Sequence, residues 1–416
     1  MTEEEFLELA SKNWKRIKSH KSQSNNLYDY EKGFDELWVE FGRSTLEGSI
    51  GEVSSDRRKK KSNLSRYGLI SINHKNEWSV QGGFKSTPYM RDLLLYSGQE
   101  DNYQTSCEHI KRYLRIDTDD SQLNRLCVHY GERLEEQTQN LEKGIIEQTT
   151  NLSKKVGKEE VVYAMFDGCM LPTRPHEADG EKIGSWKEMK LGRIFREQDH
   201  LDLGEKPNVI RSSIYVSHFG HHKTFTDKLE VVVDKFENLS ERLVFINDGA
   251  IWIANFIKDN YSNATDILDF YHASEYLHNF SKVLFSKKTE ATKKAKWLDK
   301  QTFRLLNDEI GNIISEIEQI NLKGKIKFAA QQKILNYYKN NQDRMLYKTY
   351  RDRGLLIGSG PIESAHRFVL QKRLKQSGQK WTKKGGQAVA NLRIFHLNNQ
   401  WDKVVELINQ DTSKAA

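Results

Sequence analysis

Two short apolar runs constrain this chain more than any other feature. VVYAMF (161–166) and RLVFIN (242–247) are each followed at once by Asp-Gly, at Asp167-Gly168 and Asp248-Gly249. Runs of that length, rich in β-branched and aromatic residues, read as buried strands. GSWKEMKLGRIF (184–195), VIRSSIYVSHF (209–219) and TDILDFY (265–271) read as three more, with helical patterns at 225–239 and 252–257 between them. The order β-β-β-α-β-α-β followed by helices predicts a mixed α/β sheet. From residue 273 to about 351 the pattern is helical and rich in Lys, Glu and Gln.

An acid placed where a buried strand leaves a sheet can meet its neighbour's acid in a crevice. A glycine behind each acid allows a turn and close approach of a ligand. Asp-Gly is also ordinary turn chemistry, and either acid alone carries nothing. A third acid sharpens the pattern. Glu363 stands in GLLIGSGPIESAHRFVLQKRLKQSGQKW (354–381), and no Asp or Glu follows it before Asp402. In that interval lie Arg367, Lys372, Arg373, Lys375, Lys380, Lys383, Lys384 and Arg393. Ser359 is the expected N-cap of a helix with Pro361 in its first turn. Helical spacing then sets Glu363 beside His366 and Arg367. The expectation is a carboxylate that holds a hard cation and cations that hold phosphates. The plainer explanation of Glu363 is stabilisation of a helix N-terminus.

The rest of the chain bounds the problem. Hydrophobic residues make up 37% and charged residues 30%, with a net charge of +7. This suits a globular protein, and a local basic face would favour a polyanion. Cys107, Cys127 and Cys169 form no metal-ligand spacing, and no signal peptide is evident, so a reducing cytoplasm is expected. No apolar run reaches the roughly 18 residues of a membrane helix. DRRKKKSNLSR (56–66) reads as a flexible arm, a solvated face or a nucleic-acid contact. Residues 67–84 alternate as a β-hairpin. Residues 106–141 read as two helices around IDTDDS, the second capped by Ser121. They resemble a helix-turn-helix, though an ordinary helical pair has the same spacing.

Taken jointly, VVYAMFDGCM, GSWKEMKLGRIF, FINDGAIWIANFIKDNYSNATDILDFYHASEYLH and GSGPIESAHRFVLQKRLKQSGQKWTKKGGQAVANLR resemble the DDE-type transposases of bacterial insertion sequences. The likeness is greatest to the ISKra-type and ISLre-type groups. It extends over roughly residues 158–280 and 350–401, and more loosely over 59–133. The resemblance implies a ribonuclease H-like core with an all-α insertion and an N-terminal α+β DNA-binding region. It implies a DDE triad at Asp167, Asp248 and Glu363 that binds two Mg²⁺ or Mn²⁺ ions. Asp269 and His272 resemble the acid-x-x-His motif of those groups, which gives His272 either a supporting role at the scissile phosphate or a structural one. The long interval between Asp248 and Glu363 is the place of the insertion.

The implied segments are 1–63, a helical segment and basic arm; 64–155, a hairpin and helix pair; 156–274, the first part of the core; 275–350, the insertion; and 351–416, the completion of the core. The implied activity is cleavage of transposon-end DNA and transfer of its 3′ ends into target DNA. The implied partners are double-stranded DNA and further copies of the chain, as a homodimer or higher oligomer at the nucleoid of a bacterial cytoplasm, with no membrane. Arg367, Lys372, Arg373, Lys375, Lys380, Trp381, Lys383, Lys384 and Lys187 are the expected DNA contacts; Trp381 is a candidate base-stacking residue. Glu188 is a subsidiary carboxylate. Two other readings stay open: a nuclease of the same fold that never joins, and a DNA-binding protein with a silent site. The N-terminal region lacks a cysteine-rich zinc element, so end recognition falls to the helix pair, the hairpin and the basic cluster.

Overall fold

The computed structural model describes residues 1–50, 60–73, 83–142, 160–175, 185–203, 206–236 and 242–411. Contacts divide the chain into two compact units, Met1–Gln137 with Lys384–Ala416, and Thr138–Lys383. The C-terminal 33 residues or so therefore belong with the N-terminal unit, not with the core they were expected to complete. Among the described residues, no helix is long and apolar enough to cross a membrane.

In the first unit, helix Glu3–Gln23 starts at a capping box. Thr2 Oγ1 accepts from Glu5 N at 3.2 Å and Glu5 Oε2 accepts from Thr2 N at 2.7 Å. It pairs with helix Leu27–Ile50. Strands β1 (Lys60–Ser65) and β2 (Gly68–Asn73) form an antiparallel hairpin. The hairpin therefore begins earlier than the alternation suggested, using residues of the basic cluster itself. Residues 56–59 and 74–82 lie outside the described residues. Helices Pro88–Glu100, Tyr103–Leu114 and Asp120–Glu142 follow. The last is capped by Asp119, whose Oδ1 accepts from Gln122 N at 2.7 Å, and not by Ser121. Helix Lys383–Leu397 crosses it tightly. A Cβ on Gly131 would lie 2.2 Å from the Ala388 carbonyl oxygen, so only glycine allows this crossing. Leu94, Leu95, Leu123, Leu126, Val389 and Leu392 are fully buried in this unit.

The second unit carries a five-stranded sheet. Its strands are β3 (Val162–Pro172), β4 (Trp186–Arg196), β7 (Ile214–His218), β8 (Leu243–Asn247) and β9 (Thr265–Leu268). A separate hairpin, β5 (His200–Leu203) and β6 (Lys206–Ile210), intervenes in the chain. The spatial order is β7-β4-β3-β8-β9. Strand β4 alone runs against the other four. Along β3 the period-two alternation turns Val162, Ala164 and Phe166 to one face. There they pack with Phe225 and Leu229 of helix His222–Val233 and Ile253 of helix Ile251–Asn260. Asp167 points to the other face, where helix Gly360–Ala365 packs on β3 and β4.

Three element ends differ from expectation, each for a local reason. β3 does not leave the sheet at Asp167. It runs on to Pro172 beside β4, and only its parallel pairing with β8 stops, at Met165–Ile246. Residues 209–219 are divided between β6 and β7, because Val209 and Ile210 pair back onto Leu201 and His200. β9 ends at Leu268 because Asp269 caps helix Phe270–Leu284, accepting from Tyr271 N at 3.2 Å and His272 N at 3.3 Å. Between β9 and Gly360 the chain is all helical: Phe270–Leu284, Ala291–Leu306, Ile310–Gln319, Lys325–Asn341 and Tyr347–Asp352. Ile310, Ile313, Ile314 and Ile317 form a buried stripe at helical spacing.

Candidate active site

Asp167 sits where β3 outruns β8, and Asp248 sits in the turn that ends β8. Gly249 takes φ +85°, and its nitrogen donates to Asn247 Oδ1 at 3.0 Å. A Cβ there would meet Leu268 Cδ1 at 2.5 Å, so this turn requires glycine. The turn is fixed from below. Asn247 Nδ2 donates to Asp266 Oδ1 at 2.9 Å, and Arg344 Nη1 reaches Asp266 Oδ2 at 3.0 Å. Tyr337 Oη donates to the Asp248 carbonyl at 2.9 Å.

Asp167 feels the charge of Asp248. Burial, and after it the negative charges of Asp248 and Glu188, push the Asp167 carboxyl up to about 6; a hydrogen bond from Gly168 N (2.7 Å to Oδ1) and nearby His272 oppose the rise. Glu188 reaches this place across the strand pair because Gly168 has no side chain. A Cβ there would lie 2.2 Å from Glu188 Oε1. Lys190, buried on the same strand, donates to Glu188 Oε2 at 2.6 Å and to the Gly220 carbonyl at 3.2 Å. Its ammonium lies 5.9 Å from the centre of the Trp252 ring.

His272 stands one turn into its helix. Its Nδ1 lies 2.9 Å from Oδ2 of the fully buried Asp269. That hydrogen bond is the main reason its pKa rises to about 9, against burial, with the charges of Asp269, Asp248 and Asp167 adding to it. Burial alone would lift Asp269. The bonds from His272, from Ser359 and from the Tyr271 backbone outweigh it and hold the carboxyl below its ordinary range.

Ser359 connects this dyad to the third acid. Its Oγ lies 2.8 Å from Asp269 Oδ2 and 3.2 Å from Glu363 Oε1, and its backbone nitrogen donates to Asp269 Oδ1 at 3.0 Å. It occupies the N-cap position of helix Gly360–Ala365 but makes no side-chain cap bond; its hydroxyl serves Asp269 instead. The Gly-Ser-Gly-Pro turn is pinned at several points. Phe270 N donates to Ile357 O at 2.9 Å, Leu356 N to Tyr163 Oη at 3.2 Å, and Arg193 Nη1 to Pro361 O at 2.8 Å. Glu363, Ser359, Asp269 and His272 are thus one hydrogen-bonded series, while Asp167 and Asp248 share one electrostatic field that also reaches His272.

After Ala365 the helix widens into a π-helical stretch, His366–Gln371. Such stretches occur often at functional sites. This one starts at His366, which is 4% exposed, with Nε2 3.6 Å from Asp167 Oδ2 of β3. Burial pushes His366 down to about 4. Spacing along the helix places His366 beside Glu363 and Arg367; its contact with Asp167 comes from the packing of this helix on β3, a long-range choice that no local sequence signal announces.

The expected DNA contacts fall into two groups. Arg367, Lys372, Lys375, Lys380, Lys383 and Lys384 are exposed, and Lys187 is half-buried. Lys375 Nζ stands 5.6 Å from the centre of the exposed Trp186 ring. Lys384 pairs with Glu132 at 2.8 Å within the first unit. Arg373 and Trp381 are corrections. Arg373 is fully buried, its guanidinium 5.2 Å from the Trp381 ring centre. Trp381 is 8% exposed, its Nε1 donates to Leu374 O at 2.8 Å, and its backbone pairs with Pro172 and Arg174 at the end of β3. Both are drawn inward where the basic segment meets the end of β3, so the exposed lysines around them, and not this pair, face outward.

The donor set suits a hard cation: carboxylate oxygens, two of them already sharing a field. Among the described residues, however, no three His, Cys, Asp or Glu side chains are grouped closely enough to hold a metal ion. Glu363 faces Ser359. A scan against protein-family models finds no match, and a search of curated proteins finds none either.

Proposed function

We propose that the chain is a DDE-type transposase with a ribonuclease H-like core, which cleaves DNA at the ends of a mobile element and joins the 3′ ends to a target. One observation carries the reading: Asp167 on β3 and Asp248, just past the end of the adjacent parallel strand β8, come within electrostatic reach of one another, beside a His272 that Asp269 holds through a 2.9 Å hydrogen bond to Nδ1. Two supports stand beside it. The sheet has a single reversed strand next to the one bearing Asp167. The helix bearing Glu363 is tied through Ser359 to the His272 dyad.

In this reading Asp167, Asp248 and Glu363 would hold Mg²⁺ or Mn²⁺. When bound, such ions supply an activated oxygen nucleophile and steady the leaving oxygen of a phosphodiester. The residues do the rest. Glu363 exchanges its Ser359 contact for the aspartate pair by rotation of an exposed side chain. His272 keeps Nδ1 on Asp269, which directs Nε2 to a phosphate oxygen, and its pKa near 9 keeps that donor charged at neutral pH. The exposed Lys372, Lys375 and Lys380 contact backbone phosphates, which position DNA without reading its sequence.

The test is a strand-transfer assay with pre-cleaved element ends and Mg²⁺. Joined products support the reading. Hydrolysis alone supports a nuclease, and binding with neither reaction supports a silent DNA-binding protein.

A further inference from the structure

His366 is the least explained polar side chain near the acids. It is 4% exposed, and neither ring nitrogen reaches a partner at full hydrogen-bond geometry among the described residues, the Asp167 backbone being near enough only to oppose in part the effect of burial. Leaving a buried polar group unsatisfied carries a free-energy cost. An apolar side chain would fill the same place without that cost. Two further facts concern where the ring sits. Its Nε2 is 3.6 Å from Asp167 Oδ2, just beyond a hydrogen bond. The helix that carries Glu363 packs on β3, and a π-helical stretch starts at His366, three residues after Glu363.

We infer that His366 is a positioning residue for Asp167: in the ion-loaded site its Nε2–H donates to Oδ2 and fixes the plane of that carboxylate. The inference rests on the metal-dependent reading above. Asp167 already receives Gly168 N on Oδ1 at 2.7 Å. A second donor on Oδ2 would hold both oxygens of the carboxylate. Outer donors of this kind typically change metal affinity or activity about 10–100-fold. The same contact makes the helix of Glu363 and the strand of Asp167 move together, since His366 and Glu363 share one helical turn. His366 touches no substrate in this account; it acts through Asp167.

The experiment measures Mn²⁺ binding to the full-length chain without DNA, by calorimetry or by the electron paramagnetic resonance of free Mn²⁺. Asp167→Asn is the control, and melting temperature is recorded for every variant. His366→Leu should weaken Mn²⁺ binding about 10–100-fold with its melting temperature unchanged or raised. His366→Gln, which keeps an N–H near the place of Nε2, should recover most of that loss. Binding by His366→Leu equal to wild type overturns the inference and leaves the metal-dependent reading standing. Equal loss in both variants together with a lowered melting temperature also overturns it, marking a packing role. Absence of Mn²⁺ binding in wild type overturns the metal-dependent reading and the inference with it.

Discussion

Asp167, on β3, and Asp269, just past the end of β9, are two acids with opposite surroundings. Asp269 is fully buried, yet it accepts from His272, twice from Ser359 and from the helix backbone, and its carboxyl is held below the ordinary range. Asp167 is more open, yet it has one good donor, Gly168 N, and its carboxyl is pushed up to about 6. Burial is therefore not what separates them; the supply of donors is. A carboxylate that is fully served is framework. One that is underserved beside another acid is a place where a cation would be held, and the proposed chemistry is built on that contrast.

The largest test of the contrast is catalytic. Asp167→Asn and Asp248→Asn should each reduce Mg²⁺-dependent cleavage by at least about 10³-fold, the scale of losing a preorganised charge-stabilising group. DNA affinity measured in EDTA should hold. His272→Gln should cost less, about 10–100-fold, as expected for a supporting donor. Equal losses at Asp167 and His272 would erase the distinction.

Stability should move the other way. Asp269→Ala strips several hydrogen bonds to a charged group and should lower stability by about 2–3 kcal/mol in urea unfolding. Asp167→Asn should raise it by about 1 kcal/mol at neutral pH without metal, after discounting for a side chain 31% exposed. Arg373→Ala should behave like a core mutation and destabilise by a few kcal/mol, since it empties a buried site under Trp381.

The pH dependence separates the same two acids by sign. Asp167 holds its proton more tightly when folded, so its contribution favours folding at low pH and is lost as pH rises from about 4 to about 6. His272 is also raised. Its contribution is full below about 6.5 and disappears as pH rises towards 9. Asp269 is lowered, so its contribution is present above the usual carboxylate pKa and lost in acid. Unfolding of Asp167→Asn across pH 4–6 should show the wild-type slope shifted towards stability increasing with pH. His272→Gln should flatten the fall between about 6.5 and 9.

The smallest expected effects concern the surface cations. Lys372→Ala and Lys375→Ala should each reduce the slope of log K against log salt by roughly 0.9 while leaving folding intact. Arg373→Met should leave that slope unchanged, because the guanidinium is in the core.

The sequence carried the sheet and its acids further than it carried the basic segment. Strand runs that are buried on both faces stand out as apolar blocks, and the Asp-Gly pairs marked where β3 and β8 part company. Their ends were harder to read. β3 keeps a long antiparallel partner past Asp167, and β9 is cut short by a cap bond from Asp269, neither of which periodicity reports. Charge alone cannot separate Arg373 from Lys372: both stand in one acid-free run, and only the fold turns one inward beneath Trp381. Lys384 and the helix it begins belong to the N-terminal unit, a long-range packing choice invisible in local composition. His366 reaches Asp167 through the packing of its helix on β3, which helical spacing does not report.

The most direct measurement is a crystal structure of the chain soaked in Mn²⁺, read by anomalous scattering. The account predicts an ion coordinated by oxygens of Asp167 and Asp248, with Glu363 rotated off Ser359 to an adjoining position. Density showing Mn²⁺ elsewhere, or none at the aspartates under saturating metal, would contradict it.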